Sequence, residues 1–123
     1  MEPSSFARTP APPYYAVIFT SLRTPGDAGY SAMSDRMVEL GATQPGFLGL
    51  ESVRGADGLG ITVTYWRSEA DIAAWKANVE HRVAQREGHR QWYEHFEVRV
   101  ARVERAYDGP SGNKVLVGWS DSA

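Results

Sequence analysis

The sequence predicts an α+β domain in which two amphipathic helices cover one face of a four-stranded antiparallel sheet. Four segments are rich in β-branched and aromatic residues, and two intervening stretches carry apolar residues at spacings of three and four. Their order is strand–helix–strand–strand–helix–strand, the split βαβ arrangement of a ferredoxin-like βαββαβ sandwich.

The first strand, Tyr14 to Leu22, has apolar residues in both alternating sets, so cover on both faces is expected. Thr24-Pro25-Gly26-Asp27 supplies a turn with Asp27 as helix N-cap. Tyr30, Met33, Met37 and Leu40 then recur at helical spacing, and Gly41 marks the end ahead of Pro45-Gly46. Phe47 to Arg54 and Gly60 to Arg67 form a hairpin around Gly55-Ala56-Asp57-Gly58. In its second strand Ile61, Val63 and Tyr65 share one face, and Thr62, Thr64 and Trp66 the other. Ser68 caps the second helix, where Glu69 and Asp71 suit the positive end of the dipole. Ile72, Trp75, Val79 and Val83 mark its buried stripe, which ends near Gly88. The last strand, Tyr93 to Tyr107, places Phe96, Val98 and Val100 on one face, and the parity break at Val103 suggests a bulge.

Both helices must lie on the same sheet face, yet the strands also carry large apolar residues on the other. A face of that kind needs a partner, and the economical one is a second copy packed sheet to sheet about a two-fold axis. Residues 1–13, rich in Pro, Ser and Ala, read as a flexible leader, and 14–107 as the domain. Residues 108–123 form a tail whose Lys114-Val115-Leu116-Val117-Gly118-Trp119 has the makings of a short strand, either on its own sheet or exchanged with the neighbouring subunit.

The chain of 123 residues suits one core, with a formal net charge of −2. That charge leaves no basic footprint for nucleic acid and no polybasic membrane patch. Cysteine is absent, which removes disulfides, thiolate catalysis and Cys-based metal sites. No apolar run approaches the ~20 residues of a membrane span, and the N-terminus lacks a signal-peptide core, so a cytoplasmic location is the default. His81, His89 and His95 are spaced by eight and six, which does not gather ligands on one helix face; no metal site is expected.

Several local runs are more specific: Gln44-Pro45-Gly46-Phe47-Leu48-Gly49 entering the second strand, Tyr65-Trp66-Arg67-Ser68 entering the second helix, and Trp75 with His81 on that helix. The closing Trp92-Tyr93 through Val103-Glu104-Arg105-Ala106-Tyr107 belongs with them. From about Tyr14 to Tyr107 the pattern resembles the antibiotic biosynthesis monooxygenase family. The resemblance implies a dimeric α+β barrel built from ferredoxin-like protomers. It also implies oxygenation of an electron-rich aromatic, such as an anthrone or quinol, bound beneath the helices without metal, flavin or haem. The substrate anion itself reduces dioxygen there, while the protein favours that anion and excludes water.

His81 is the foremost polar candidate, since an imidazole titrating near neutrality suits proton abstraction from a phenol or enol. Its bland alternative is a histidine bonded to a neighbour such as Glu80. Trp66 and Tyr65 point to opposite sheet faces, so one lies under the helices and the other against the partner. Trp75 is either a pocket wall or a core anchor on the buried stripe. Trp92 and Tyr93, at the helix-to-strand junction, close the pocket or plug the sheet edge, with the Tyr93 hydroxyl as a donor. Trp75 also matches the helix tryptophan of the haem-degrading branch, but the first strand has no asparagine and His81 lies too close to Trp75 for that branch's spacing. The expectation is a cofactor-free monooxygenase of a small hydrophobic aromatic or polyketide-like compound, with a non-catalytic dimeric binding protein of the same fold as the alternative.

Overall fold

The computed structural model describes residues 6–27, 29–85 and 92–109, with side chains in the second helix described as far as Glu80. The order is β1 (Tyr14–Arg23), α1 (Tyr30–Ala42), β2 (Phe47–Arg54), β3 (Leu59–Trp66), α2 (Glu69–Gln85) and β4 (Tyr93–Val103). The strands make one antiparallel sheet in the order β2-β3-β1-β4, the ferredoxin-like α+β arrangement. The segment 114–119, Gly88, and the side chains of His81 and Val83 lie outside the described residues. No described helix is long and apolar enough to cross a membrane.

The capping chemistry accounts for both helix starts. Asp27 acts from two residues before the N-cap position, which is Gly29 in a left-handed conformation. Its carboxylate accepts the backbone N–H groups of Gly29 and Ser31 at 3.1 Å each and the Ser31 hydroxyl at 2.5 Å. These bonds hold the Asp27 carboxyl below the usual carboxylate range. At α2 the Ser68 hydroxyl accepts the Asp71 N–H at 3.1 Å and donates to the Asp71 carboxylate at 2.8 Å, a closed capping pair.

Two expectations about helix and strand ends are corrected. Gly41 is not a terminating glycine: α1 runs through it to Ala42, and Thr43 caps it in the right-handed conformation. Gly41 is buried because the Trp75 ring lies over it, a Cβ there standing 3.4 Å from the indole; the glycine serves close approach of the two helices. The left-handed residue is Gly46 (φ 81°), whose carbonyl accepts the Arg67 N–H at 2.8 Å and whose missing side chain leaves room for Asp71. On β4 the bulge is not at Val103, which pairs in register with Tyr14. It is at Glu94, the extra residue between the pairs Leu22–His95 and Arg23–Tyr93. Val103 breaks the apolar parity simply because it faces the same side as buried Tyr14. The strand ends there, short of Tyr107.

The register sorts the side chains into two unlike faces. Trp66, Thr64, Thr62, Ser52, Arg54, Ser21 and Phe19 point toward the helices. The bare face carries Ala16, Ile18, Leu22, Val53, Leu59, Ile61 and Val63, the more aliphatic set. Val53 is 71 %, Leu59 52 % and Ile61 42 % exposed there. Strand β4 reverses the pattern: Phe96, Val98 and Val100 face the helix side, while His95, Glu97 and Arg99 face the bare side as an exposed charged chain.

Part of the bare face is covered by the chain itself. The Ala7 N–H donates to the Glu51 carboxylate at 3.0 Å, and the other oxygen of that carboxylate accepts the Tyr65 hydroxyl at 2.7 Å. Thr9 and Tyr14 hydroxyls lie 2.9 Å apart, Tyr14 packs edge-on to Tyr65, and Ala7 sits over Gly49. Ala7 and Thr9, within the segment 1–13 read from composition as a leader, thus have partners on the sheet. The leader's own sequence gives no sign of them; they are made by Glu51, Tyr65 and Tyr14.

Candidate functional site

The ring-bearing residues singled out from the sequence fall into two groups at opposite ends of β1. Trp66 pairs with Tyr15 and Tyr93 with Arg23, eight residues apart, or roughly 25 Å of strand. At the first end Trp66 is fully buried, 0 % exposed, and faces the helices. Its ring stacks on Trp75 with centroids 6.0 Å apart and meets Phe47 edge-on at 5.5 Å. Its indole N–H donates to the Thr64 hydroxyl at 2.8 Å. With Gly41 pressed against Trp75, this end is packed core in which the indole N–H of Trp66 is already used.

At the other end Tyr93 is half-buried beside Phe19, Phe96 and Tyr30, with ring centroids 5.4 to 5.9 Å away. Trp92 is buried edge-on to Tyr30, and its carbonyl accepts Arg23 Nε at 2.9 Å and the Thr24 N–H at 3.0 Å. The Tyr93 hydroxyl donates to the Tyr30 hydroxyl oxygen at 3.5 Å. The Arg23 guanidinium lies 3.6 Å from the Tyr30 ring centroid. Arg54 Nη2 donates to Ser21 Oγ at 2.8 Å and to Tyr30 Oη at 3.4 Å, and Arg54 Nη1 donates to the carbonyls of Ser21 and Gly58. Gly60 makes the space for that guanidinium, since a Cβ there would collide with it. Among the described residues, α1 packs on β2 and α2 on β3, and Phe96, Val98 and Val100 on the helix side of β4 are exposed.

His81 lies six residues beyond Trp75 on α2, about 9 Å further along the axis toward the Tyr93 end. Tyr30, Arg54, Arg23 and Ser21 were missed as site residues. Arg54 was not legible from the turn: a four-residue Gly55–Gly58 turn would pair it with Leu59, whereas five residues separate it from its partner Gly60, which puts it on the same face as Trp66. Tyr30 was read only as a member of the α1 stripe, and nothing local in the sequence tells that its hydroxyl meets Tyr93.

Burial first, and the hydrogen bond to Tyr30 second, hold the Tyr93 phenol well above its ordinary value of 10.0, while Arg54 and Arg23 pull weakly the other way. Burial, then the Glu51 carboxylate, does the same for Tyr65. A proton bound more tightly in the folded than in the unfolded chain contributes stability that is complete below the unfolded pKa. That contribution fades as pH rises past it. The domain should therefore lose stability progressively above about pH 10, and Tyr93→Phe should flatten that loss. Denaturant melts across the alkaline range, paired with ultraviolet absorbance of tyrosinate, check this; tyrosines that all ionise before unfolding would contradict it.

An antiparallel sheet in the order β2-β3-β1-β4 with both helices on one side defines a ferredoxin-like α+β domain. The family model for antibiotic biosynthesis monooxygenase matches residues 13–87, and the chain belongs to that family. YqjZ of Bacillus subtilis (strain 168), an uncharacterised protein, is 54% identical over 99 residues, covering 80% of this chain and 87% of YqjZ. Among solved structures, PA3566 from Pseudomonas aeruginosa superposes with a TM-score of 0.58 at 18% identity, covering 79% of this chain and 98% of that one. Rv0793 from Mycobacterium tuberculosis gives 0.56 at 17% identity, with 79% and 99% covered. These two likenesses bear on the fold.

Proposed function

We propose that the chain is a cofactor-independent monooxygenase of a small electron-rich aromatic or polyketide-like compound of the anthrone or quinol type, acting as a homodimer. The observation that carries this is the convergence of the Tyr93 and Tyr30 hydroxyls with the Phe19 and Phe96 rings on the helix side of the sheet, in a member of this family. A flat ring lies against Phe96 and Tyr93, and His81 takes the acidic proton from it. For an anthrone, the resulting enolate passes an electron to dioxygen, a C–O bond forms, and the peroxide loses water. The ring CH2 plus O2 becomes C=O plus H2O. The aliphatic bare face, with Val53, Leu59 and Ile61 exposed, is the surface the twin molecule covers.

Oxygen uptake with a panel of anthrones and quinols tests the reading. Wild type should turn over at least one of them, and His81→Ala should be slower by about 10²–10⁴-fold. Absence of uptake across the whole panel would leave the non-catalytic binding protein as the function, a reading favoured by the packed Trp66–Trp75 core at the other end.

A further inference from the structure

The Tyr30 hydroxyl is a donor in search of an acceptor. Its oxygen receives two hydrogen bonds, from Tyr93 Oη at 3.5 Å and from Arg54 Nη2 at 3.4 Å, and among the described residues no group receives its own proton. Donation into a hydroxyl oxygen polarises the O–H beyond it, so this chain makes Tyr30 a stronger donor than an isolated phenol. The ring that carries it is fixed by Arg23 on its face and by Trp92 and Tyr93 at their edges. No conformational search is needed before it binds.

The charge behind it is Arg54. This guanidinium is half-buried, and among the described residues its bonds all go to neutral oxygens, those of Ser21, Gly58 and Tyr30. Among the described residues no carboxylate forms an ion pair with it. Arg23 differs, because its field already acts on the nearby Asp27 carboxylate. A cation drawn partly out of water without a counter-charge is unfavourable unless something anionic completes it. The apolar way in is present too: Phe96 and Val98 lie exposed on the same side of the sheet, beside Tyr93.

We infer that the Tyr30–Arg54 end of this ring-lined strip is an oxyanion subsite, which takes a planar ring ligand through an anionic oxygen conjugated to that ring. The oxygen accepts the Tyr30 proton and lies in the field of Arg54, while the ring rests on Phe96 and Tyr93. This rests on the strip being the substrate site. It adds that the compound is held at that end as an anion, either through a carboxylate it brings or through the phenolate or enolate left once its proton is taken. A neutral ring of the same shape leaves Arg54 uncompensated and is the weaker ligand.

Equilibrium binding followed by tryptophan fluorescence tests it with two matched pairs in mildly alkaline buffer: naphthoate against naphthamide, and nitrophenolate against nitroanisole. At least one anion should bind about tenfold or more tighter than its neutral partner, and the pair that shows it tells a carboxylate from an ionised phenol. Tyr30→Phe and Arg54→Gln should each erase most of that preference. If Arg54→Gln does not fold, judged by circular dichroism, Tyr30→Phe decides alone, since it removes one oxygen. Equal binding within both pairs, no binding of either anion, or a preference that survives Tyr30→Phe would overturn the subsite. Turnover is read separately. An anion preference without oxygen uptake keeps the subsite and sinks the monooxygenase; uptake of neutral quinols without the preference does the reverse.

Discussion

Replacing Trp66 by alanine is expected to destabilise the domain by about 3–5 kcal/mol, the range for truncating a large aromatic in a packed core. Trp66 is 0 % exposed and is the point where sheet, α2 and, through Trp75 and Gly41, α1 meet. Its removal leaves a hole bounded by Phe47 and Trp75 and a Thr64 hydroxyl without its indole donor. Neither side can collapse easily, because β3 is hydrogen-bonded between β1 and β2. The loss adds up to much of a small domain's net stability. Urea unfolding of wild type and Trp66→Ala measures it. A loss below about 1 kcal/mol would mean that the stacked tryptophans are not the core.

Tyr30→Phe is expected to have the opposite profile: a stability close to wild type and a turnover number lower by about 10²–10³-fold, the usual cost of deleting one donor to a developing oxyanion. Tyr30 is half-buried and its ring contacts to Arg23, Trp92 and Tyr93 do not depend on the hydroxyl. The KM should rise as well, by about the tenfold anion preference, because the hydroxyl also holds the anionic oxygen in the bound ground state. Steady-state oxygen uptake with the best substrate of the panel, alongside thermal melts of both proteins, separates this from a folding defect. An unchanged kcat would remove Tyr30 from the chemistry.

The two variants probe opposite ends of β1, and the sequence spoke very unequally about them. Strand and helix order and the Ser68 cap were legible because each is set by neighbours within a few residues. Gly41 was misread for a physical reason: a glycine near a helix end serves either a left-handed cap or a close approach, and only the position of Trp75 decides between them. The Val103 parity break was a change of face rather than a bulge, which needed the pairing with Tyr14 to see. The four rings singled out as one pocket were real features placed on two sites. Trp66 and Trp75 hold the fold together, whereas Trp92 and Tyr93 border the ring-lined strip. The donors that distinguish that strip, Tyr30 and Arg54, lie 24 residues apart in the chain and meet only once α1 has docked on β2.

The bare face shows the same division. Parity announced its aliphatic side chains, and the register puts them there on β1, β2 and β3. Parity did not announce that β4 turns its apolar row to the helix side, nor that Ala7 reaches Glu51 and Thr9 reaches Tyr14. A twin packing sheet to sheet therefore meets a surface whose rim already includes this chain's own N-terminal segment. Sedimentation at high concentration should give twice the chain mass.

The central prediction is where an aromatic substrate binds. The direct measurement is a crystal structure of the protein with an anthrone, grown and frozen without oxygen so that the bound compound is not consumed. The ring should lie on the helix side of β4 against Phe96 and Tyr93, with its oxygen on the Tyr30 hydroxyl. Density on the bare face beside Tyr65 and Glu51, or wedged at Trp66 and Trp75, would contradict it.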